Sequence, residues 1–281
     1  MVVIDYGGYQ GYIDGYLHKN LELYQKMVKG NRDFVILASG KEGDGKSVLM
    51  AGILKRLDPT FNLDRCFLNG EDFLKALVDA REPFKAYMFD EGQEFTSRAA
   101  MSRFNKALVQ VLSKIRAKQL YIGICIPAFH ELDKYAAVHR SHCLLQVYTK
   151  KGRRGFFNFW NWEKKKKLYW QGKQNYDYNC VPANFNGKFT YNSFPFDQKE
   201  YDQKKFDSME AIDLNLRDAM LKSTKQRDAL MKYLIDVVGL KQLDVAEIVN
   251  KSGVPLSQSR ISAIMVKLKE KNSPVEANTP Q

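Results

Sequence analysis

Eight residues constrain this chain more than any others: Gly40-Lys41-Glu42-Gly43-Asp44-Gly45-Lys46-Ser47, set directly after the apolar run Phe34-Val35-Ile36-Leu37-Ala38. They read G-x-x-x-x-G-K-S between a buried-strand run and an amphipathic segment, which is the context a phosphate-cradling loop requires. The glycines let the backbone turn sharply and aim N–H groups at the α- and β-phosphates, and the helix that follows adds the partial positive charge of its N-terminus. Lys46 is placed to reach the β- and γ-phosphates and the Ser47 hydroxyl to help hold Mg2+. Gly40 through Val48 is therefore the predicted nucleotide-binding stretch. The motif alone specifies a nucleoside triphosphate; kinases, GTPases and motors share it.

The run Ala86-Tyr87-Met88-Phe89-Asp90-Glu91 supplies a second half. A four-residue strand delivers an acid to its carboxyl end, where Asp90 is placed to hold Mg2+ directly or through water. Glu91 points differently and is the candidate to orient or deprotonate an attacking water, with Glu94 as an alternative. A solvated strand end would look the same in isolation; about fifty residues after a phosphate loop, it reads as part of the site.

The 281 residues suffice for one sizeable core and a small second module. No run of about 18 apolar residues exists and the N-terminus lacks signal-peptide character, so neither membrane insertion nor export is expected. Cys66, Cys125, Cys143 and Cys180 are far apart and form no C-x-x-C pair, which fits reduced thiols in a cytoplasmic protein. His139, His142 and Cys143 lie close together, but the neighbourhood does not complete a metal-ligand set. The net charge of +12 is uneven: between Lys150 and Lys173 nine basic residues face one acid, Glu163. A concentrated basic patch favours a polyanionic partner.

Along the chain, residues 1–29 read as a Tyr- and Gly-rich arm followed by a helix over 18–29. Apolar runs at 34–38, 66–68, 86–89, 121–126 and 143–148 alternate with helical segments at 46–57, 71–80 and 97–117. Such alternation predicts an α/β domain, a mostly parallel sheet with helices on both faces and ligands at the carboxyl ends of the strands. All three Trp fall in 149–196, where a β-hairpin is predicted with Glu163 to Lys167 at its tip. Lys164, Lys165, Lys166 and Lys167 there would contact nucleic-acid phosphates, while the aromatics either stack on bases or pin the hairpin to the core. The hairpin closes a domain spanning 30–196. A connector over 197–222 leads to helices at 225–238, 243–250 and 257–269, a module over 223–271 with helix-turn-helix spacing, Ala246 at the crossing and Gly253 in the turn. Gln258, Ser259 and Arg260 would then face a major groove; a three-helix bundle for protein contacts is the alternative. The polar tail 272–281 is expected to be disordered.

The paired motifs, with Glu directly after Asp and the strand 121–126 following, resemble the additional-strand, catalytic-glutamate branch of phosphate-loop ATPases. Within that branch, residues 30–150 look like the FtsK–HerA superfamily of DNA-pumping motors, including Zot-like proteins and the genome-packaging ATPases of membrane-containing DNA viruses. Lys114 to Ile124 is similar to the family's Arg-plus-small-residue entry into its fourth strand. The family usually ends that strand with a polar sensor; here Ile126-Pro127-Ala128 stands in its place, leaving the role vacant or moved, with His130 as a candidate. The resemblance implies ATP with Mg2+, double-stranded DNA as partner, and a pentameric or hexameric ring that could dock on a portal or capsid vertex in a host cytoplasm. It also implies an arginine acting in trans on the neighbour's site, for which Arg116 and Arg140 are the candidates. Arg98 and Arg103, after the catalytic Glu, are candidates for pore-facing DNA contacts. An AAA+-type loader, a terminase-like motor and an ATP-switched DNA-binding regulator are the rival readings.

Overall fold

The computed structural model describes residues 2–5, 10–90, 98–251 and 256–270. They divide into two compact units, one ending at Ser208 and one beginning at Met209. The first is an α/β unit built on a seven-stranded sheet.

Strands β1 (Val2–Asp5) and β2 (Gln10–Ile13) form a separate antiparallel pair ahead of α1 (Gly15–Lys29), where an irregular arm was expected. Asp14 caps that helix, its carboxylate accepting from the Tyr16 and Leu17 N–H groups, so the helix starts three residues before the predicted point. The large sheet then contains β3 (Phe34–Ser39), β4 (Cys66–Phe67), β5 (Ala86–Phe89), β6 (Tyr121–Ile126), β7 (Cys143–Lys150), β8 (Arg153–Asn161) and β9 (Phe185–Lys188). Their order is β4-β5-β6-β3-β7-β8-β9; the pairings from β4 to β7 are parallel, and the two that add β8 and then β9 are antiparallel. Strand β6 is thus inserted between β3, which feeds the glycine loop, and β5, which carries Asp90.

Helices cover both faces. Alternate residues of β3 divide between two cores: Phe34, Ile36 and Ala38 pack with α1 and α2 (Lys46–Leu57), while Val35 and Leu37 pack with α3 (Gly70–Asp79), α4 (Arg98–Lys114) and α5 (Trp162–Gly172). Period-two alternation on strands buried from both sides produces the continuous apolar runs seen in the sequence. Gly123 in β6 has no side chain because Met50 of α2 lies there; a Cβ would come within 2.5 Å of its sulfur.

Asp58, just past α2, fixes the start of β5. Its carboxylate accepts from the Ala86 N–H at 2.9 Å and from Arg65 at 2.5 Å. Burial alone would raise its pKa, but the hydrogen bonds from Thr60, Ala86 and Arg65 and the Arg65 charge outweigh it and hold the carboxyl below its ordinary value.

The hairpin predicted around Glu163 to Lys167 does not form; its first strand, β8, pairs instead with β7 before it. Strands β7 and β8 pair with Lys150 opposite Arg153, and both turn residues, Lys151 and Gly152, have positive φ, the two-residue turn suited to the strands' twist. The exposed basic tip is therefore Lys150 to Arg154. Residues 163–167 lie instead in helix α5, whose first turn is capped by Asn161 accepting from the Lys164 N–H at 3.1 Å. Helical spacing of Lys165, Leu168, Tyr169 and Gly172, all buried, decides for helix over turn.

Helix α6 (Gln198–Asp236) starts in the first unit and runs into the second. The second unit packs α6, α7 (Gln242–Lys251) and α8 (Gln258–Glu270) around Met231, Val245, Ala246, Leu256, Ile261 and Met265. The expected connector and the first helix of the predicted module are thus one continuous helix. Among the described residues no helix is long and apolar enough to cross a membrane.

Candidate nucleotide site at the carboxyl end of the sheet

The glycine loop leaves β3 at the carboxyl end of the sheet and enters α2 at Lys46. Gly40 and Gly45 have φ of 147° and 103°, a region that disfavours side chains, and each is also crowded. A Cβ on Gly40 would overlap the Val147 carbonyl oxygen, and one on Gly45 would lie 2.7 Å from the Tyr191 ring. The loop is tied at three points. Gly40 N–H donates to Pro127 O at the end of β6, the Thr149 hydroxyl donates to Asp44 Oδ1 at 2.7 Å, and Asp44 Oδ2 accepts from the Lys41 N–H at 3.2 Å. Glu42 and Gly43 form the exposed outer edge, and Val48 packs partly buried on the core beneath α2.

Lys46 is 4% exposed, and its ammonium donates to the carbonyls of Gly40 at 2.8 Å and Lys41 at 3.2 Å. Ser47 Oγ donates to Asp90 Oδ1 at 2.7 Å. Two motifs 43 residues apart in sequence therefore meet at one point, with Asp90 itself 1% exposed. A hydroxyl and a carboxylate oxygen form the hard-oxygen set that Mg2+ takes from proteins, which supply one or two ligands and leave the rest to water and substrate phosphates. The residues present fit that metal.

The remaining Asp90 oxygen is occupied from a direction the sequence did not signal. The Tyr201 hydroxyl donates to Oδ2, and Lys205 Nζ lies 3.5 Å from the same atom. Both residues belong to the first turns of α6. Lys204 anchors that segment through a 2.6 Å hydrogen bond to the Leu63 carbonyl.

Beside the loop opens a cleft of about 480 Å3 lined by Gly152, Arg154, Thr190, Tyr191 and Asn192. Arg154 donates to the Tyr191 hydroxyl at 2.5 Å and lies 4.9 Å from the centre of that ring. Its guanidinium is also 3.7 Å from where a Gly43 Cβ would be, so the hairpin tip brings a cation to the edge of the loop.

Other expected site residues fall elsewhere. Arg140 lies before β7, at the amino end of the parallel strands, and its guanidinium is committed within its own unit: it pairs with the buried Asp33, and its Nε donates to Leu112 O at 2.9 Å. Arg116 sits at the same end, in a short turn before β6, and is exposed. Lys165 is fully buried and cannot meet a nucleic acid. Its ammonium caps the carbonyls of Ala137 and Ser141 and the Ser141 hydroxyl, at the end of a π-helical turn over Tyr135–Arg140. Burial lowers its pKa to about 7. Lys164 is half-buried, with Nζ on the Ala183 carbonyl, whereas Lys166 and Lys167 are exposed. Arg103 is exposed on α4; Glu91, Glu94 and the side chain of Arg98 lie outside the described residues, as do Gly253 and the tail 272–281.

His130 is buried among Phe129, Tyr169 and Tyr178, with Nε2 at 3.3 Å from the Leu168 carbonyl, so it takes part in the packing of α5. His142 accepts the Val35 N–H on Nδ1 at 3.1 Å, a bond that requires that nitrogen to be unprotonated. In the second unit, Gln258, Ser259 and Arg260 are exposed at the start of α8, and Ser257 Oγ accepts from the Arg260 N–H at 3.3 Å. Comparison with known protein families and with curated proteins returned no match, so the functional case rests on this geometry.

Proposed function

We propose that this chain is a phosphate-loop ATPase of the additional-strand, catalytic-glutamate type, which couples Mg2+-dependent ATP hydrolysis to movement along duplex DNA. The observation that carries the reading is the 2.7 Å Ser47–Asp90 hydrogen bond, with β6 lying between the strands that deliver the two residues. Gly40 to Val48 would wrap the phosphates. Lys46 would exchange the Gly40 and Lys41 carbonyls for β- and γ-phosphate oxygens, and Arg154 would add positive charge at the open edge. Ser47 and Asp90 would hold Mg2+, which when bound neutralises charge on the phosphate oxygens. Glu91 would orient or deprotonate the attacking water, and Arg116 is the arginine that a neighbour in a ring could use.

A DNA substrate is supported by the basic hairpin tip beside the loop and by the exposed Gln258, Ser259 and Arg260 on a three-helix module. Assignment as a viral or mobile-element genome-packaging motor rests on the sequence resemblance. A second reading, an ATP-switched DNA-binding regulator, is favoured by one contact: Tyr201 and Lys205 of α6 close over the acid that would hold the metal. ATP turnover with and without double-stranded DNA separates the two. The motor predicts DNA-stimulated turnover that Glu91→Gln abolishes. Turnover indifferent to DNA and unchanged in Glu91→Gln would overturn it.

A further inference from the structure

Helix α5 presents two unlike faces. Lys165, Leu168, Tyr169 and Gly172 are buried. Along the other side run Trp162, Lys166 and Trp170, at positions i, i+4 and i+8, and the two indoles are 45% and 55% exposed. Residues so spaced form one ribbon on a helix, and the rise per residue separates the rings by about 12 Å along the axis. The third tryptophan, Trp160, is buried, with its Nε1 donating to the Val181 carbonyl at 2.9 Å. The chain therefore exposes two indoles on a single helix.

The charge around them narrows the partner. Lys166 Nζ lies 5.6 Å from the centre of the Trp162 ring, and Lys134 Nζ, from the turn before β7, lies 5.5 Å from that of Trp170. Lys167 and Lys173 are exposed beside them, and Glu163 is the acid of this helix. Asp133 and Glu131 flank Lys134 without reversing the balance along α5. Exposed indoles, each with a lysine ammonium over one part of its ring, match a polyanion that also offers flat apolar faces. A duplex keeps its bases stacked inside; a strand with unpaired bases does not.

We propose that the ribbon Trp162–Lys166–Trp170 binds a nucleic-acid strand with unpaired bases. Bases stack on the two indoles, and phosphates pair with Lys134, Lys166, Lys167 and Lys173. The ribbon lies on α5, which begins where β8 has run back from the hairpin tip and carries Trp170 beside Lys134 near its end. It does not depend on ATP hydrolysis.

The test uses the full chain and its own tryptophan emission. Titration with a short oligothymidylate should quench the exposed indoles, whereas a duplex of the same length should quench little. In the double variant Trp162→Phe/Trp170→Phe, the remaining Trp160 emission reports that the fold is intact, and the quenching should vanish. Trp162→Ala or Trp170→Ala should each weaken binding of a labelled strand roughly tenfold, as expected for loss of one stacked base. Lys166→Ala should lower the slope of log affinity against log salt by about 0.7. Absence of quenching by the strand, equal quenching by duplex, or strand binding unchanged in both alanine variants would each overturn the proposal. Quenching by phosphatidylserine vesicles but not by oligothymidylate would assign the ribbon to a membrane surface and overturn it as well.

Discussion

The Tyr201 hydroxyl donates a hydrogen bond to Asp90 Oδ2, the carboxylate oxygen opposite the one that accepts from Ser47. One acid is thus gripped by the loop on one side and by the first turns of α6 on the other. A metal at Ser47 and Asp90 has to compete with the tyrosine and with Lys205 for the same carboxylate.

Tyr201→Phe removes one competitor. Binding of a fluorescent ATP analogue should then need less Mg2+, with the midpoint shifting about tenfold, the scale of a hydrogen bond to a charged group. An unchanged Mg2+ midpoint in this variant would mean that α6 does not restrain the site.

The two arginine candidates should separate cleanly. Arg140→Ala leaves Asp33 buried and unpaired, so it should cost about 3–5 kcal/mol in denaturant unfolding. Arg116→Ala should change stability by no more than about 0.5 kcal/mol, as for an exposed residue, yet lower DNA-stimulated turnover by about a thousandfold if it acts in trans. Mixing Arg116→Ala with Lys46→Ala protein checks the trans role: activity recovered in the mixture supports it, and none recovered argues against it.

Acid should unfold the first unit in a defined window. Burial lowers the His142 pKa from 6.5 to about 4, against the opposing pull of Asp33. The unfolded chain therefore takes up a proton that the folded chain refuses. The stabilisation is complete above pH 6.5 and is lost as pH falls from 6.5 towards 4, on the order of 3 kcal/mol in all. Urea midpoints measured across that range should fall with pH, and His142→Gln should flatten the slope. Lys165 acts in the opposite range: its folded pKa near 7 lies below the unfolded 10.5, so its contribution to stability rises as pH climbs between those values.

The parts of the structure legible in the sequence are those set by local chemistry. Buried parallel strands demand continuous apolar runs, so 34–38, 86–89 and 121–126 could be read almost to the residue, and the glycines of the loop sit where the backbone needs them. The lysine run could not be read from its charge. Lys165 is distinguished only by its helical spacing to Leu168, Tyr169 and Gly172, a signal present in the sequence but masked by the block of like charges. The Arg140–Asp33 pair spans 107 residues, so the commitment of that guanidinium left no local pattern to read. The Tyr201–Asp90 contact spans 111 residues and leaves no local pattern at all.

Gly40 to Val48 and Asp90 are proposed to form one site for Mg2+ and ATP. Titration calorimetry of the full chain with ATP, with and without Mg2+, in wild type and in Lys46→Ala, tests it most directly. Saturable binding should be strengthened by Mg2+ and weakened roughly a hundredfold in Lys46→Ala, the loss expected when a charged donor is removed from phosphate. Binding of equal strength in Lys46→Ala, or no binding by the wild-type chain, would contradict it.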